Sequence, residues 1–489
     1  MEKDELIKIV GADNILDDPE SLSSYSRDLS FTPPRKPNLV VKPGNSDEVQ
    51  KIVAWANVTR TTLIPVSSGP PHFRGDTIPI TAGTIIVDLT RMNNVIRVDR
   101  RNRITIIEPG VTYKQLQPEL AKAGMRLSAP LLPRQSKSVV TSLLEREPIL
   151  TPKYQWTLLE PLRCLEIIWG NGVKMWTGEA GEYASMDLEQ QYKKKRAAIN
   201  PYGPGFVDYY RLVSGAQGTM GIVTWASVKC EILPRIHKYY FIPAKDIREL
   251  VGFTYEILKF RLGDEILLLN QTNLSSMLRE KENDLKIDKK GLPPWVLVIG
   301  IAGREMLPAE RVAYQEKGIA DIAQRHNLQF VSSIPGIDHS RFSEALQNCS
   351  GEPYWKLEKT GGCQDIFFLT TLNNVPAFLD TIFSFTAGKV GFPVSQIGVY
   401  IQPQQQGTTC HCEFNIFYNP ASSEEALKAQ SFFLEASQDL SKKGAYFSRP
   451  YGIWSDLAFS KDGPTTILLK KVKNIFDSNN IMNPGKLCF

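Results

Sequence analysis

The sequence predicts an α+β fold with more than one domain. A chain of 489 residues is longer than a single hydrophobic core usually supports. Strand-like apolar runs alternate with helical patterns over the first 125 residues, whereas residues 236–430 mix helices and strands without this alternation. Hydrophobic residues make up 42% of the chain and charged residues 22%, which is the balance of a folded globular protein.

The N-terminal part has the order of elements that is typical of an α/β domain. After a short helix at 2–10, a strand at 39–43 precedes a helix that begins at Ser46, where Asp47 and Glu48 occupy the first turn. The remaining elements predicted here are strands at 63–66, 84–89 and 104–107 and a helix at 113–123.

The middle of the chain predicts a second unit, and the last 60 residues predict two helices followed by an irregular tail. The helices of the middle unit are expected near 247–260, 309–326, 340–347 and 375–386, and its strands near 295–301, 397–401 and 413–418. The terminal helices are expected at 423–442 and 464–476. We therefore divide the chain into 1–235, 236–430 and 431–489.

Charge and composition exclude several classes of protein. The net charge of +5 is a small excess, and no basic stripe interleaved with aromatic residues predicts nucleic-acid binding. The basic run Lys193–Arg196 is interpreted as a solvated loop, with an anionic docking partner as the alternative. No apolar stretch is long enough to span a membrane, and the first residues lack the apolar core of a secretory signal. We expect a cytoplasmic protein.

Seven cysteines, an odd and scattered set, favour a reducing compartment over a disulfide framework. The only dense cluster is Cys410-His411-Cys412, in which alternation along a strand places both thiols on one face. No second half-site with the spacing of a zinc site accompanies it. Strand packing is the favoured interpretation, and we predict no metal.

Two glycine-containing turns are the candidate ligand-binding segments. The loop Ser67–Asp76 follows a strand and contains Gly69, Pro70, Pro71 and Gly75, and such a turn can direct its N–H groups toward an anionic phosphate. The segment Ser214–Thr224 has three glycines within seven residues, which lets the backbone approach a flat ligand closely. Taken singly, each is better explained as an ordinary turn or hairpin than as a ligand-binding segment.

The order of these segments along the chain resembles the vanillyl-alcohol oxidase/p-cresol methylhydroxylase superfamily of FAD enzymes. The resemblance covers about residues 40–235 and 430–489 and rests on five segments, namely the loop near residue 70, Val87–Asn93, Glu108–Thr112, Gly218–Thr224 and Ile481–Lys486. Further similarities are Asn171–Gly178 and Tyr202–Gly205. The resemblance implies FAD, a p-cresol methylhydroxylase-type FAD-binding domain of two α+β subdomains (1–235), a cap or substrate domain (236–430), and a tail (431–489) that returns to the FAD domain.

The resemblance also implies which residues hold the cofactor. The cofactor-binding residues that it implies are Ser67, Ser68, Gly69, Pro70, His72, Pro130, Ser142, Gly218, Thr219, Gly221, Ile222, Val223, Asn483 and Lys486. His72 lies one residue from the position at which some relatives attach the flavin covalently. Non-covalent contact with the flavin, or loop packing, is the alternative for this histidine.

The catalytic residues that the resemblance implies are less complete. Arg449 falls where an arginine faces the substrate's charge, and Tyr446 lies close to it in sequence. Glu145 is the carboxylate nearest to the expected base, with a surface ion pair as the alternative. His411 is the counterpart in position of a metal-binding pattern that is otherwise missing, and a structural role is its alternative.

The function implied is an FAD-dependent dehydrogenase or oxidase that takes a hydride from a phenolic, benzylic or otherwise hydroxylated small molecule. One alternative is a 2-hydroxy-acid dehydrogenase of the lactate or glycolate type that passes electrons to a partner protein. Another is a non-catalytic FAD-binding subunit of a redox complex. A homo-oligomer is compatible with each of these hypotheses.

Overall fold

The computed structural model describes residues 2–152, 161–183, 186, 188–194, 207, 209–278, 291–387, 391–459 and 463–489, with side chains at all of these except 2, 182, 183, 192 and 387. The predicted turn Tyr202–Gly205 and the end of the basic run at Lys195 and Arg196 lie outside these residues. The chain forms three main sheets, two in the N-terminal part and one in the middle.

The first sheet has four strands in the order β1-β2-β4-β3, and β4 runs parallel to both β2 and β3. These strands are β1 Ile15–Leu16, β2 Leu39–Val41, β3 Leu63–Val66 and β4 Ile85–Asp88, and the helices beside them are α1 Glu2–Val10, α2 Pro19–Ser24 and α3 Ser46–Thr59. Helix α3 begins where the sequence predicts, because the Asn45 side chain accepts from the Glu48 N–H and Glu48 accepts from the Gly44 N–H.

The second sheet has five antiparallel strands in the order β5-β6-β10-β8-β9. Its strands are β5 Val95–Asp99, β6 Ile104–Ile107, β8 Leu162–Trp169, β9 Lys174–Trp176 and β10 Gly221–Lys229, and β7 Met125–Arg126 pairs separately with β11 Glu231–Ile232. The helices of this part are α4 Tyr113–Lys122, α5 Val139–Leu144, α6 Leu188–Lys193 and α7 Tyr210–Val213. Ile168 and Ile222 share a core with the first sheet, so the two sheets form one packed unit.

The cap is built on a six-stranded antiparallel sheet in the order β12-β14-β13-β18-β19-β17. Its strands are β12 Ile236–Ala244, β13 Glu265–Asn270, β14 Trp295–Gly303, β17 Gly362–Thr370, β18 Ile397–Gln404 and β19 Thr409–Tyr418, with a small hairpin of β15 Ser333–Ile334 and β16 Ile337–Asp338. The helices are α8 Arg248–Lys259, α9 Gln271–Met277, α10 Pro308–Arg325, α11 His339–Gln347, α12 Val375–Ala387, α13 Ser423–Lys442, α14 Ile453–Phe459 and α15 Pro464–Phe476.

The chain returns to the N-terminal part later than residue 431. Phe432 and Leu440 of α13 and Trp454 of α14 belong to the core between the cap sheet and its helices. Ile481 and Met482 belong instead to the core of the first sheet. Val472 and Phe476 of α15 pack against the core of the second sheet, so α15 and the tail after it are the parts that contact the N-terminal unit.

Strand β19 divides its side chains between the two faces of the cap sheet, as alternation requires. Cys410 and Cys412 point into the core under the helices, so the two thiols share a face. His411 and Glu413 lie on the opposite face, which is turned toward the N-terminal unit. Among the described residues there is no group of His, Cys, Asp or Glu arranged to hold a metal ion. None of the helices in these residues is both long and apolar enough to cross a bilayer.

Candidate functional site

Two adjoining cavities lie in the N-terminal unit and beneath the cap sheet. The first encloses about 1060 Å³ of empty space, counted together with the solvent at its mouth, and reaches the cap. The second encloses about 750 Å³ counted in the same way and lies within the N-terminal unit. They share the wall residues Pro65, Ser67, Asp76, Thr141 and Glu145, so an elongated ligand can occupy both.

The second cavity is lined by the turn that leads into β10. Gly215 and Gly218 have φ values of +73° and +70°, a region that favours glycine. A Cβ on Gly218 would stand 2.6 Å from the side chain of Pro65, so the close packing of the turn against β3 also requires glycine here. Gly218, Gly221, Ile222 and Val223 line this cavity together with Leu89 and Val140, so much of its wall is apolar.

The Ser67–Asp76 loop forms one wall of the first cavity and is tied to the segment 134–141. The Gly69 N–H donates to the Ser136 carbonyl (3.0 Å), and the Ser138 N–H donates to the Ser68 hydroxyl (3.0 Å). Ser67 hydrogen-bonds Thr141 through their hydroxyl groups. These contacts hold Ser67 and Ser68 at the cavity wall.

The charges around this loop fit an anionic pyrophosphate. Arg134 and Lys137 line the same cavity as His72. Burial, followed by the positive charges of Arg134 and Lys137, lowers the pKa of His72 to about 4. The imidazole is therefore neutral at physiological pH, and the local potential favours a phosphate group beside it.

The tail holds these walls together from behind. The Asn483 side-chain amide donates to the backbone carbonyls of Asp76 (3.0 Å) and Gln217 (2.7 Å), which belong to the two ligand-binding turns. The Lys486 ammonium donates to the Gly75 carbonyl (2.6 Å). The side-chain oxygen of Asn483, Oδ1, is buried without a hydrogen-bond partner among the described residues. Neither residue lines a cavity, so their contribution to the site is to fix the loops.

A buried charge network covers the first cavity from the cap side. The Lys356 ammonium lies 2.6 Å from Glu413 and 2.9 Å from Asp365, and Asn415 donates to both carboxylates. Burial opposes the charge on Lys356, but the two carboxylates outweigh it and hold its pKa well above the usual value. The His411 Nε2–H donates to the Glu413 carboxylate at 3.0 Å, and burial lowers the pKa of His411. His411 therefore stands behind Glu413 as a neutral partner.

Arg449 is the most unusual side chain of the site. It lines the first cavity, is only 4% exposed, and its guanidinium carbon lies 3.9 Å from the centre of the Phe367 ring. Its guanidinium has no hydrogen bond or ion pair within the described parts of the chain. Burial, followed by the positive charge of Arg74, lowers the pKa of Arg449. A buried cation of this kind is stabilised when an anion enters the cavity.

Carboxylates lie where the two cavities join. Glu145 lines both cavities and pairs with Lys137 at 2.7 Å, so the predicted carboxylate is within the site rather than on the surface. Asp76 also lines both cavities, and burial, followed by the charges of Glu145 and Asp28, raises its pKa to about 6.

The predicted cofactor-binding residues fall into two groups. Those that line a cavity are Ser67, Ser68, His72, Pro130, Gly218, Gly221, Ile222 and Val223. Those that stand behind the walls are Gly69, Pro70, Ser142, Thr219, Asn483 and Lys486. Ser142, for example, accepts from the Tyr113 hydroxyl (2.9 Å) and donates to Glu147 (2.5 Å), which uses its hydroxyl group in the core.

Of the predicted catalytic residues, Tyr446 is not in the site. Its side chain is 67% exposed, because the backbone of Tyr446 pairs with Leu369 at the edge of β17 and directs the ring outward. Sequence reasoning missed four charged residues that line the first cavity, namely Arg74, Asp76, Lys356 and Asp365. Arg74 and Asp76 carried a signal, since both lie in the candidate loop, whereas Lys356 and Asp365 lie in no motif.

Comparison with known proteins agrees with this geometry. A family model described as an FAD binding domain matches residues 37–140. The chain is 25% identical over 308 residues to 1'-carboxy-chondrochloren decarboxylase of Chondromyces crocatus, and the aligned region covers 63% of this chain and 52% of that protein. It is 22% identical over 505 residues to D-2-hydroxyglutarate dehydrogenase of Stutzerimonas stutzeri, which covers 99% of this chain and 98% of the relative. The chain thus spans about half the length of the first relative and nearly all of the second.

The solved structure of p-cresol methylhydroxylase with substrate bound has the same fold. It superposes with a TM-score of 0.78 at 19% identity, covering 100% of this chain and 96% of that one. The match of the FAD binding domain includes the loop at Ser67 and the start of α5, which form the walls described above. Residues 37–140 therefore match an FAD binding domain, the cofactor is FAD, and the whole chain has the fold of p-cresol methylhydroxylase.

Proposed function

We propose that this enzyme oxidises a hydroxylated small molecule that carries a negative charge, with the reacting part in the first cavity. The observation that supports the proposal best is the buried guanidinium of Arg449, which faces that cavity without an ion pair from the described residues. A guanidinium binds a carboxylate in two-point fashion or a phenolate through its N–H groups. FAD, when bound, supplies the acceptor for the hydride that leaves the substrate carbon.

The residues of the chain would divide the remaining tasks among them. Gly218, Gly221 and the Ser67–Asp76 loop would hold the cofactor across both cavities. Arg449 would orient the substrate through its anionic group. A proton must also leave the substrate hydroxyl. Asp76 is suited to receive it, because its pKa of about 6 lies near neutral pH and its side chain lines the junction of the cavities.

Glu145 and His411 would support this proton transfer indirectly. Glu145 raises the pKa of Asp76 through its charge while Lys137 holds the Glu145 carboxylate in place. His411 positions Glu413, which in turn holds Lys356. Both are therefore positioning residues in this proposal, and the carboxyl group nearest to the chemistry is that of Asp76.

The test is anaerobic reduction of the purified FAD enzyme by a panel of phenols, benzylic alcohols and 2-hydroxy acids. We expect at least one hydroxylated, anionic compound to bleach the flavin absorbance. Arg449→Met should lower kcat/KM for that compound by about 100-fold, because removing the partner of a buried charge costs several kcal/mol. The matched control is Arg101→Met, an exposed arginine. Failure of every anionic compound to reduce the flavin, with reduction by neutral alcohols only, contradicts the proposal.

The same preparation tests the remaining proposals about acceptor, attachment and assembly. We infer a small-molecule substrate and a cytoplasmic enzyme. Slow reoxidation of the reduced flavin in air would indicate a protein electron acceptor, and fast reoxidation would indicate oxygen. Acid precipitation tests a covalent link through His72, since the colour stays with the protein only if the link exists. Size-exclusion chromatography with light scattering tests the homo-oligomer. A flavin that no substrate reduces would favour the non-catalytic subunit.

A further inference from the structure

Arg74 brings a second guanidinium to the substrate end of the site. Its backbone belongs to the Ser67–Asp76 loop, but its side chain reaches the cap, where its guanidinium carbon lies 4.3 Å from the centre of the Phe367 ring. The Arg449 guanidinium carbon lies 3.9 Å from the centre of the same ring. Both arginines line the first cavity. One aromatic ring of β17 therefore supports two cations that come from opposite ends of the sequence.

On the cap side of this ring, the cations that line the first cavity outnumber the carboxylates by one. On the cap side the cations are Arg74, Lys356 and Arg449, and the carboxylates are Asp365 and Glu413. Asp365 is shared, at 3.4 Å from Arg74 and 2.9 Å from Lys356, and Glu413 pairs with Lys356 at 2.6 Å. His411 adds no charge, because burial lowers its pKa.

The carboxylates on the opposite wall form no ion pair with Arg449 within the described residues. Glu145 and Glu147 face Lys137 at 2.7 Å and 3.7 Å, and Glu147 also accepts from Ser142 at 2.5 Å. Asp76, with a pKa near 6, lies where the two cavities join. Tyr451 is a phenol, and burial raises its pKa and keeps it protonated. An anionic ligand that enters the cavity would give the buried guanidinium of Arg449 the direct partner that it lacks.

We propose that Arg74 is a substrate-binding residue that, together with Arg449, selects a substrate bearing a carboxylate. This inference rests on the proposed function, in which the first cavity receives the substrate. A carboxylate offers two acceptor oxygen atoms, so it can accept hydrogen bonds from both guanidinium groups. A phenolate offers one oxygen atom to the two guanidiniums. A phosphate monoester dianion brings a second negative charge close to the carboxylates of Asp365 and Glu413.

The test is a binding titration of the FAD enzyme with benzoate, phenol, benzyl alcohol and phenyl phosphate, which share one ring and differ in the polar group. Binding is followed by the change in flavin absorbance and, independently, by calorimetry, so turnover is not needed. We expect the lowest dissociation constant for benzoate. Arg74→Gln should raise the benzoate constant at least tenfold and leave the benzyl alcohol constant unchanged. Arg101→Gln, at an exposed position, is the matched control.

A second substitution covers the case in which Arg74→Gln loses the cofactor. Arg74→Lys keeps the charge but removes the planar fork, and it should raise the benzoate constant about fivefold without affecting benzyl alcohol. Equal effects on benzoate and benzyl alcohol, or an unchanged benzoate constant, overturn the role of Arg74, as does tighter binding of phenyl phosphate than of benzoate.

The variant Arg449→Gln separates this inference from the proposed function. If Arg449→Gln weakens benzoate and the Arg74 variants do not, only the inference about Arg74 fails. If neither arginine affects benzoate, the proposed anion site fails as well. If both weaken benzoate and the double variant weakens it by less than the product of the two single effects, the two guanidiniums act on one group.

Discussion

The side-chain amide of Asn483 donates to the backbone carbonyl of Asp76 at 3.0 Å. The same amide donates to the carbonyl of Gln217 at 2.7 Å, and the Asn483 N–H donates to the Leu63 carbonyl at 2.9 Å. One residue of the tail thus joins the loop after β3 to the turn before β10. The two walls of the cofactor cavities depend on a third segment that enters neither.

Asn483→Asp should weaken FAD binding without unfolding the protein. Asn483 has a φ of +38°, which asparagine and aspartate tolerate better than most residues, so the backbone is preserved. The substitution removes two hydrogen-bond donors and places a carboxylate against two carbonyl oxygens. We expect the FAD dissociation constant to rise by about 10- to 100-fold, because each of the two lost hydrogen bonds contributes a net stabilisation of the usual size. Flavin fluorescence titration measures it.

The control for this substitution is Asn38→Asp, at an exposed asparagine of the same unit. It should leave the FAD dissociation constant within about twofold. Equal affinity of the Asn483 and Asn38 variants for FAD would show that the tail does not hold the two walls in place.

Lys473→Met should destabilise the protein through the stranded carboxylate of Asp477. The Lys473 ammonium is buried, lies 2.5 Å from Asp477, and donates to the carbonyls of Thr219 and Met482. Removing one partner of a buried ion pair leaves the other uncompensated, so we expect the free energy of unfolding to fall by about 3–5 kcal/mol. Urea denaturation measures the change.

Lys471→Met on the same helix is the matched control, because Lys471 is exposed. Its effect should stay within about 0.5 kcal/mol. A loss at Lys473 no larger than the loss at Lys471 would mean that the buried pair contributes nothing to anchoring the tail.

Local signals in the sequence predict much of this fold. The start of α3 is predicted from Asp47 and Glu48 in its first turn, and β6 from four consecutive β-branched or apolar residues, Ile104–Ile107. The turn before β10 is predicted from its glycines, two of which adopt positive φ. In each case the chemistry that fixes the backbone is contained in a short segment.

The charged half of the site escapes prediction because its partners are far apart in the sequence. Arg74 meets Asp365 across 291 positions of sequence, and Lys356 meets Glu413 across 57. No periodicity marks Lys356, since it lies outside helices and strands in the turn region before β17. Proximity in sequence also misleads, because Tyr446 lies three positions from Arg449 and yet faces solvent.

Tyr446→Phe should leave the enzyme unchanged, whereas Tyr451→Phe should not. Tyr446 is 67% exposed, while Tyr451 is buried and lines the second cavity beside Glu145 and Asp76. We expect kcat/KM within about twofold of the wild type for the first variant and at least fivefold lower for the second, about the value of one hydrogen bond. Steady-state kinetics with the substrate found by flavin bleaching measure both, and a larger loss for Tyr446 would contradict this assignment.

Asp76→Asn should change how stability depends on pH in the FAD-free protein. Burial and neighbouring carboxylates raise the pKa of Asp76 from 3.8 to about 6. Between pH 3.8 and about pH 6, the folded protein therefore keeps a proton on Asp76 that the unfolded protein has released. The stability contributed by Asp76 is therefore fully present below pH 3.8 and is lost as the pH rises through about 6. The loss amounts to at most about 3 kcal/mol, at 1.36 kcal/mol for each pKa unit.

The amide introduced by Asp76→Asn does not ionise, so the variant avoids the loss. Urea denaturation of both proteins from pH 4 to pH 8 should give curves that diverge, with the variant gaining up to about 3 kcal/mol over the wild type toward pH 8. Asp321→Asn, at an exposed position of α10, should give a curve parallel to that of the wild type. Parallel curves for Asp76→Asn would mean that this carboxyl group titrates normally, and its proposed part in accepting the substrate proton near neutral pH would then lose its physical basis.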